Sequence, residues 1–302
     1  MVTLVSMFQG IYVPIVTPFH QDGSLDLKSL GKLADRLVSD GIAGLVPLGT
    51  TGEASALDAK ERSLVVETCA KAVAGSATEL IVGAGTNSTA STIERMAEFQ
   101  NYDVDAFLIV TPYYVRPSEE GILAHFAVAA DAADEMDADI MLYNIPARTG
   151  RYVSSEGLLA CATHKRICGV KQAVGAIDEE TMKLLAKAPD EFSVLAGDDA
   201  FIAPITILGG SGGVSATAHI ATPLWVEMVD TILAGDIDRG LELHKMLLPL
   251  VSSGFAEPNP VIFKGVLAAC GEIESDFVRL PLVPAKTESI NACKQVFDNI
   301  KA

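Results

Sequence analysis

Lys171 lies in Ile167-Cys168-Gly169-Val170-Lys171-Gln172-Ala173, a short apolar run that reads as a buried strand. Burial disfavours a charged ammonium and favours the free amine. A free lysine amine attacks a ketone and forms an imine. Read alone, such a lysine is better explained by a strand end whose ammonium snorkels to solvent. Other polar clusters end neighbouring apolar runs in the same way. They are Gly49-Thr50-Thr51-Gly52-Glu53, Thr111-Pro112-Tyr113-Tyr114, Tyr143-Asn144-Ile145-Pro146-Ala147-Arg148, Gly197-Asp198-Asp199 and Gly209–Ser215. Hydroxyls beside glycines leave backbone N–H groups open to a carboxylate, and a guanidinium binds one in bidentate fashion.

Each cluster also has a purely structural explanation. Thr50-Thr51 suits a helix N-cap, and Asp198-Asp199 suits the start of a helix. Tyr113-Tyr114 suits an interface or a core. Gly209–Gly213 suits a tight turn, and Arg148 suits a surface ion pair. Lys264, within the apolar stretch Val261–Ala269, reads as a structural lysine.

These clusters need a scaffold that gathers strand ends. Apolar, β-branched runs recur at Tyr12–Thr17, Gly44–Gly49, Leu80–Gly83, Ala106–Thr111, Asp139–Asn144, Ile167–Lys171, Ser193–Gly197 and Gly213–Ala216. Helical periodicity separates most of them, as in Leu27, Leu30, Leu33, Ala34, Leu37 and Val38. Strand and helix alternating eight times predict a (β/α)8 (TIM) barrel, whose chemistry sits at the C-terminal ends of its strands. An open doubly wound sheet would bring a glycine-rich phosphate loop after its first strand. Thr17-Pro18-Phe19-His20-Gln21-Asp22-Gly23 is not one. From Pro223 onward the pattern is helical only, which predicts a catalytic barrel over residues 1–222 and a C-terminal helical subdomain over 223–302.

Composition narrows the function. The 302 residues are 49% hydrophobic and 20% charged, with a net charge of −17. That charge repels a phosphate backbone, so no nucleic-acid partner is expected. It also repels small anions, so an anionic substrate needs local cations. No apolar stretch is long enough to span a bilayer, and no membrane association is expected. Met1–Gly10 lacks the basic start and cleavage signal of a leader, which predicts a cytoplasmic protein. Five cysteines without a C-x-x-C suit a reducing compartment. The five histidines show no ligand spacing, so no metal is expected.

Taken together, Ile15–Phe19, Gly49–Glu53, Thr111–Tyr114, Tyr143–Gly150, Gly169–Lys171, Gly197–Asp199 and Glu257–Pro260 resemble the dihydrodipicolinate synthase/N-acetylneuraminate lyase family, pyruvate aldolases that work through a lysine imine. The resemblance runs from about Gly10 to Ala285. It implies that Lys171 forms the imine with pyruvate and that no other cofactor is needed. Tyr143 is implied as the proton donor and acceptor, linked by Thr50 to Tyr114, which in the family reaches in from a neighbouring subunit. A phenol with a reference pKa of about 10 needs such a relay at neutral pH. Thr51 and Gly49 are implied around the pyruvate carboxylate, and the Val214 carbonyl faces the bound pyruvate. A homo-oligomer follows, a dimer or a tetramer built from tight dimers.

Within the family, Thr50 and Arg148 match members that condense pyruvate with L-aspartate 4-semialdehyde, with Arg148 on the semialdehyde carboxylate. N-acetylneuraminate lyases usually carry serine at the position of Thr50 and lack the arginine. Aldolases of 2-keto-3-deoxy sugar acids also take anions. A keto-acid-binding paralogue without turnover is a third reading, although a binder needs no proton relay. Ser91 stands where lysine-regulated members carry an acidic residue, and histidines common in the helix after Glu53 are absent, so feedback inhibition by lysine is expected to be weak. The Ser211-Gly212-Gly213 loop beside Val214 also departs from the family's usual form.

Overall fold

The computed structural model describes residues 8–301. Residues 1–7, part of the segment read as leaderless, lie outside them. The strands are β1 (Gly10–Val13), β2 (Gly44–Leu45), β3 (Glu79–Gly83), β4 (Ala106–Val110), β5 (Asp139–Asn144), β6 (Ile167–Gln172), β7 (Ser193–Ala196) and β8 (Gly212–Val214). They pair in parallel in sequence order and close into a barrel. Helices alternate with them: α1 (Leu27–Ser39), α2 (Ala59–Val73), α3 (Thr89–Ala97), α4 (Glu119–Glu135), the single turn α5 (Pro146–Thr149), α6 (Ser155–Cys161), α7 (Glu179–Lys187), α8 (Ile202–Ile207) and α9 (Thr222–Leu233). Then follow α10 (Ile237–Gly254), α11 (Val261–Ala269) and α12 (Thr287–Lys301). The (β/α)8 alternation read from the sequence is therefore present, with a helical region after it. No helix among the described residues is long and apolar enough to cross a membrane.

Strand lengths differ from the apolar runs for backbone reasons. The first run ends early as a strand because Pro14 has no N–H to donate. The second leaves the ladder after Leu45, where Pro47 lacks a donor and Leu48 takes a left-handed φ of 60°. Helix starts are set by caps. Asp26, Asp58, Ser88, Ser118, Ser154 and Asp178 each accept a backbone N–H of the first turn.

Contacts group the chain into two compact units. The segment up to Gly10 with Ile81–Val214 forms one, and Ile11–Leu80 with the segment from Ser215 forms the other. In the first, β4, β5, β6 and β7 carry Phe107, Leu108, Ile140, Leu142, Val170 and Leu195 into the core. In the second, Leu30, Leu33 and Leu37 of α1 are buried, as are Val65, Val66 and Cys69 of α2, and Phe263 and Val266 of α11. At the barrel seam Gly10 N–H donates to the Ser211 carbonyl at 2.8 Å. Gly212 has a φ of +121°, and a Cβ there would lie 2.2 Å from the Gly10 carbonyl oxygen. Only glycine fits that approach.

Candidate active site

Tyr143 and Lys171 are register partners on β5 and β6. Side chains alternate along a strand, so partners in register project to the same face. Lys171 Nζ stands 4.4 Å from the centre of the Tyr143 ring. Both residues are 7% exposed. The next pair in register is Asn144 and Gln172. The Asn144 amide donates to Gln172 Oε1 at 3.0 Å and to the Val153 carbonyl, and Gln172 donates to Thr181. This buried amide network fixes the outer face of both strands behind the lysine and the tyrosine. The Tyr143 carbonyl accepts two bonds from Thr111, one from its N–H and one from its hydroxyl.

On the neighbouring strand end, Gly197 makes room for the lysine stem. A Cβ there would fall 2.9 Å from Lys171 Cγ and 3.0 Å from Cε. Asp198 follows. Burial raises its carboxyl above the usual carboxylate range, while the Gly175 N–H and the Lys171 charge pull it down. Asp198 stands at the N-cap of a 3₁₀ turn over Asp199–Phe201, yet its carboxylate makes no cap bond and accepts instead from the Gly175 N–H at 2.8 Å. Val214 ends β8 and is buried.

The other candidates of this unit lie on exposed loops. Arg148 is exposed on α5, and no acidic group of the described residues lies within ion-pair distance, so the surface-pair explanation fails. Tyr114 is 88% exposed with a φ of 71°. The Val115 N–H donates to the Tyr113 carbonyl at 2.8 Å, which makes the segment a γ-turn with a positive central φ, a rare and strained form. Arg116, also at positive φ, donates to the Gly150 carbonyl and accepts from Arg151 at its own carbonyl. The Tyr114 loop is thus tied to the loop that follows Arg148.

The second unit holds the hydroxyl pair. Thr50-Thr51-Gly52 forms a 3₁₀ turn preceded by Gly49, which makes no side-chain cap, so neither threonine acts as the N-cap. Thr50 is exposed and Thr51 is 3% exposed. Thr51 Oγ1 accepts from Asn259 Nδ2 at 2.9 Å. Glu53 follows in a left-handed conformation, φ 52°. Its buried carboxylate accepts from Lys264 Nζ at 2.8 Å and from the Arg279 N–H at 2.9 Å. Lys264 Nζ also donates to the Thr17 carbonyl at 2.9 Å and lies 4.3 Å from the Phe19 ring centre. Burial pushes the Lys264 ammonium below its ordinary pKa, and Glu53 opposes that shift. Lys264 is therefore the structural lysine the sequence suggested. Its partner Glu53 and the role of Asn259 were not legible, because they lie 211 and 208 residues from their contacts.

For metal binding, the ligand atoms of His20, Asp26 and Glu274 lie within 4.8 Å of one another. His20 already pairs with Glu274 at 3.2 Å, and Asp26 caps α1. None of the three adjoins Thr51 or Glu53 through any of these bonds.

The chain is 42% identical to a 4-hydroxy-tetrahydrodipicolinate synthase of Moorella thermoacetica, over 92% of this chain and 93% of that protein. It is 38% identical to one from Methanothrix thermoacetophila, over 94% of each. The crystal structure of a dihydrodipicolinate synthase from Thermotoga maritima superposes with a TM-score of 0.92 at 34% identity, covering 98% of this chain and 99% of the other. A Cyanidioschyzon merolae structure with lysine bound gives 0.93 at 31% identity, covering 97% and 98%. The profile of the dihydrodipicolinate synthetase family matches residues 7–300, and the chain belongs to that family.

Proposed function

We propose that this chain is a lyase that condenses pyruvate with L-aspartate 4-semialdehyde to give 4-hydroxy-tetrahydrodipicolinate, a step toward lysine and diaminopimelate. The observation that carries this reading is the buried Lys171 amine against the Tyr143 ring. The names of relatives at 42% and 38% identity give the product, 4-hydroxy-tetrahydrodipicolinate.

Lys171 Nζ attacks the pyruvate ketone, and loss of water gives the imine. Its nitrogen is an electron sink, so a proton leaves the methyl carbon and an enamine forms. The enamine carbon attacks the aldehyde of the semialdehyde, whose oxygen takes up a proton. The semialdehyde's amine then displaces Lys171 from the imine carbon, closing the ring and freeing the enzyme. Tyr143 moves the protons, relayed through Thr50 and Tyr114. Thr51 and Gly49 hold the pyruvate carboxylate, and the Val214 carbonyl faces the substrate. Arg148 binds the semialdehyde carboxylate, which offsets the net charge of −17. The covalent imine is the only cofactor-like group.

The exposure of Tyr114 supports a site completed by a second copy of the chain, in a dimer or a tetramer of such dimers. Five cysteines, all free in the structure, and substrates of central metabolism support a cytoplasmic location.

The test is a pair of assays on purified protein, pyruvate with aspartate semialdehyde in one arm and N-acetylneuraminate cleavage in the other. Turnover in the first arm alone supports the reading, and turnover in the second alone overturns it. Arg148→Ala should raise the semialdehyde KM by about tenfold or more and leave borohydride trapping of the pyruvate imine intact.

A further inference from the structure

We propose that Asn259 is a positioning residue that commits the Thr51 hydroxyl to donating toward the substrate carboxylate. The inference rests on the placement of Thr51 at the pyruvate carboxylate proposed above.

A threonine hydroxyl carries one hydrogen and two lone pairs, so it can serve a partner as donor or as acceptor. A carboxylate only accepts. Thr51 Oγ1 takes its bond from Asn259 Nδ2 at 2.9 Å, an N–H that only donates. With a lone pair occupied in this way, the hydroxyl hydrogen is left to point elsewhere. One lone pair remains, but the hydroxyl hydrogen is free of Asn259 and can be presented to a carboxylate brought to this turn.

The surroundings of Asn259 indicate that this contact is its task. Its Oδ1 is buried and has no partner among the described residues. A buried acceptor left unmade is destabilising, a penalty that an apolar side chain at this place would avoid. Pro258 and Pro260 flank it, so the backbone carrying the amide has little freedom. The helix that follows, α11, grips the same turn through Lys264 and Glu53. One segment therefore holds the turn twice: Lys264 fixes its backbone through Glu53, and Asn259 fixes the direction of one hydroxyl.

The test uses the full chain with Asn259→Ala, Thr51→Val and the double variant. The readout is the pyruvate concentration that half-saturates borohydride trapping on Lys171, followed by intact mass. This readout does not depend on the aldehyde partner. Asn259→Ala should raise half-saturation about tenfold while the plateau of trapping stays within about twofold. In the Thr51→Val background Asn259→Ala should add nothing, since the group it orients is gone. Unchanged or lowered half-saturation in Asn259→Ala, or effects that multiply in the double variant, would overturn the proposal. If Asn259→Ala fails to fold, Asn259→Asp keeps the shape but accepts the Thr51 hydrogen. Half-saturation should then rise, and wild-type behaviour would again refute the idea. Failure of the underlying reading looks different: trapping is absent in the wild type, or Thr51→Val leaves half-saturation unchanged.

Discussion

Lys171 and Tyr143 face each other across β5 and β6 in direct register, with the amine 4.4 Å from the ring centre. In the proposed reaction the ring hydroxyl of Tyr143 serves atoms bonded to this amine. The two residues should separate cleanly in experiment. Lys171→Ala should give no mass increment with pyruvate and borohydride and no turnover. Tyr143→Phe keeps the ring and loses the proton. It should still trap pyruvate, while turnover falls by about 10²- to 10⁴-fold, the usual worth of a general acid–base. Equal loss of trapping and turnover in Tyr143→Phe would remove the tyrosine from the proton-transfer role.

Gly197 sets the path of the lysine stem. Alanine there would bring a methyl group within 2.7 Å of the Ala173 Cβ and 2.9 Å of Lys171 Cγ. Overpacking of this kind costs about 1–3 kcal/mol, and a displacement near 1 Å at a reacting group can cost about 10²-fold in rate. Gly197→Ala should slow imine trapping by more than tenfold with only a modest fall in Tm. A variant that traps pyruvate at the wild-type rate would show that the stem has slack.

Burial of His219 gives the protein an acid sensitivity. The ring is buried. Its Nε2 accepts from the Val16 N–H at 3.1 Å, which leaves Nδ1–H to donate to the Ala216 carbonyl at 2.7 Å. Burial pushes its pKa down to about 4; the Ala216 carbonyl opposes that shift and the Arg36 charge adds to it. Unfolded histidine titrates near 6.5, so between about 4 and 6.5 the unfolded chain binds a proton that the folded chain refuses. This contribution to stability is complete above pH 6.5 and is lost as pH falls toward 4, on the order of 3 kcal/mol. Urea unfolding at several pH values should show that loss in the wild type. His219→Gln should be less stable at neutral pH and flatter across the window. An equally steep acid loss in the variant would assign it to carboxylates instead.

Ser91 begins the exposed side of α3, and its N–H bonds to the Ser88 hydroxyl. No carboxylate is available at that position to hold the amine of a lysine ligand. Lysine added at concentrations equal to those of the substrates should leave turnover essentially unchanged. Strong inhibition in that titration would show that regulation survives without the acidic side chain.

The features readable in the sequence were those carried by neighbours in sequence. Apolar runs gave the strands, and the polar residue at the end of each run gave the candidate chemistry. Lys171 and Arg148 were both found in this way. Arg148 has no ion pair among the described residues. What escaped were relationships between distant residues or matters of backbone conformation. Nothing near Glu53 announces Lys264, and nothing near Thr51 announces Asn259. The γ-turn at Tyr114 depends on a φ that a tyrosine rarely adopts, so no residue preference signals it. The short β2 was overestimated because Val46 and Leu48 are as apolar as strand residues, while Pro47 between them cannot join a ladder.

The glycine seam between Gly10 and Gly212 bears on how the chain is made. The strand that must receive β8 is synthesised about 200 residues before it, and ribosomes add roughly 5–20 residues per second. For on the order of 10 to 40 s, β1 waits with one edge unpaired. Open strand edges recruit other chains. For this protein the hazardous interval is therefore the one between the emergence of β1 and the arrival of a glycine small enough to lie against it. Crowding during synthesis should therefore increase aggregation of the nascent chain.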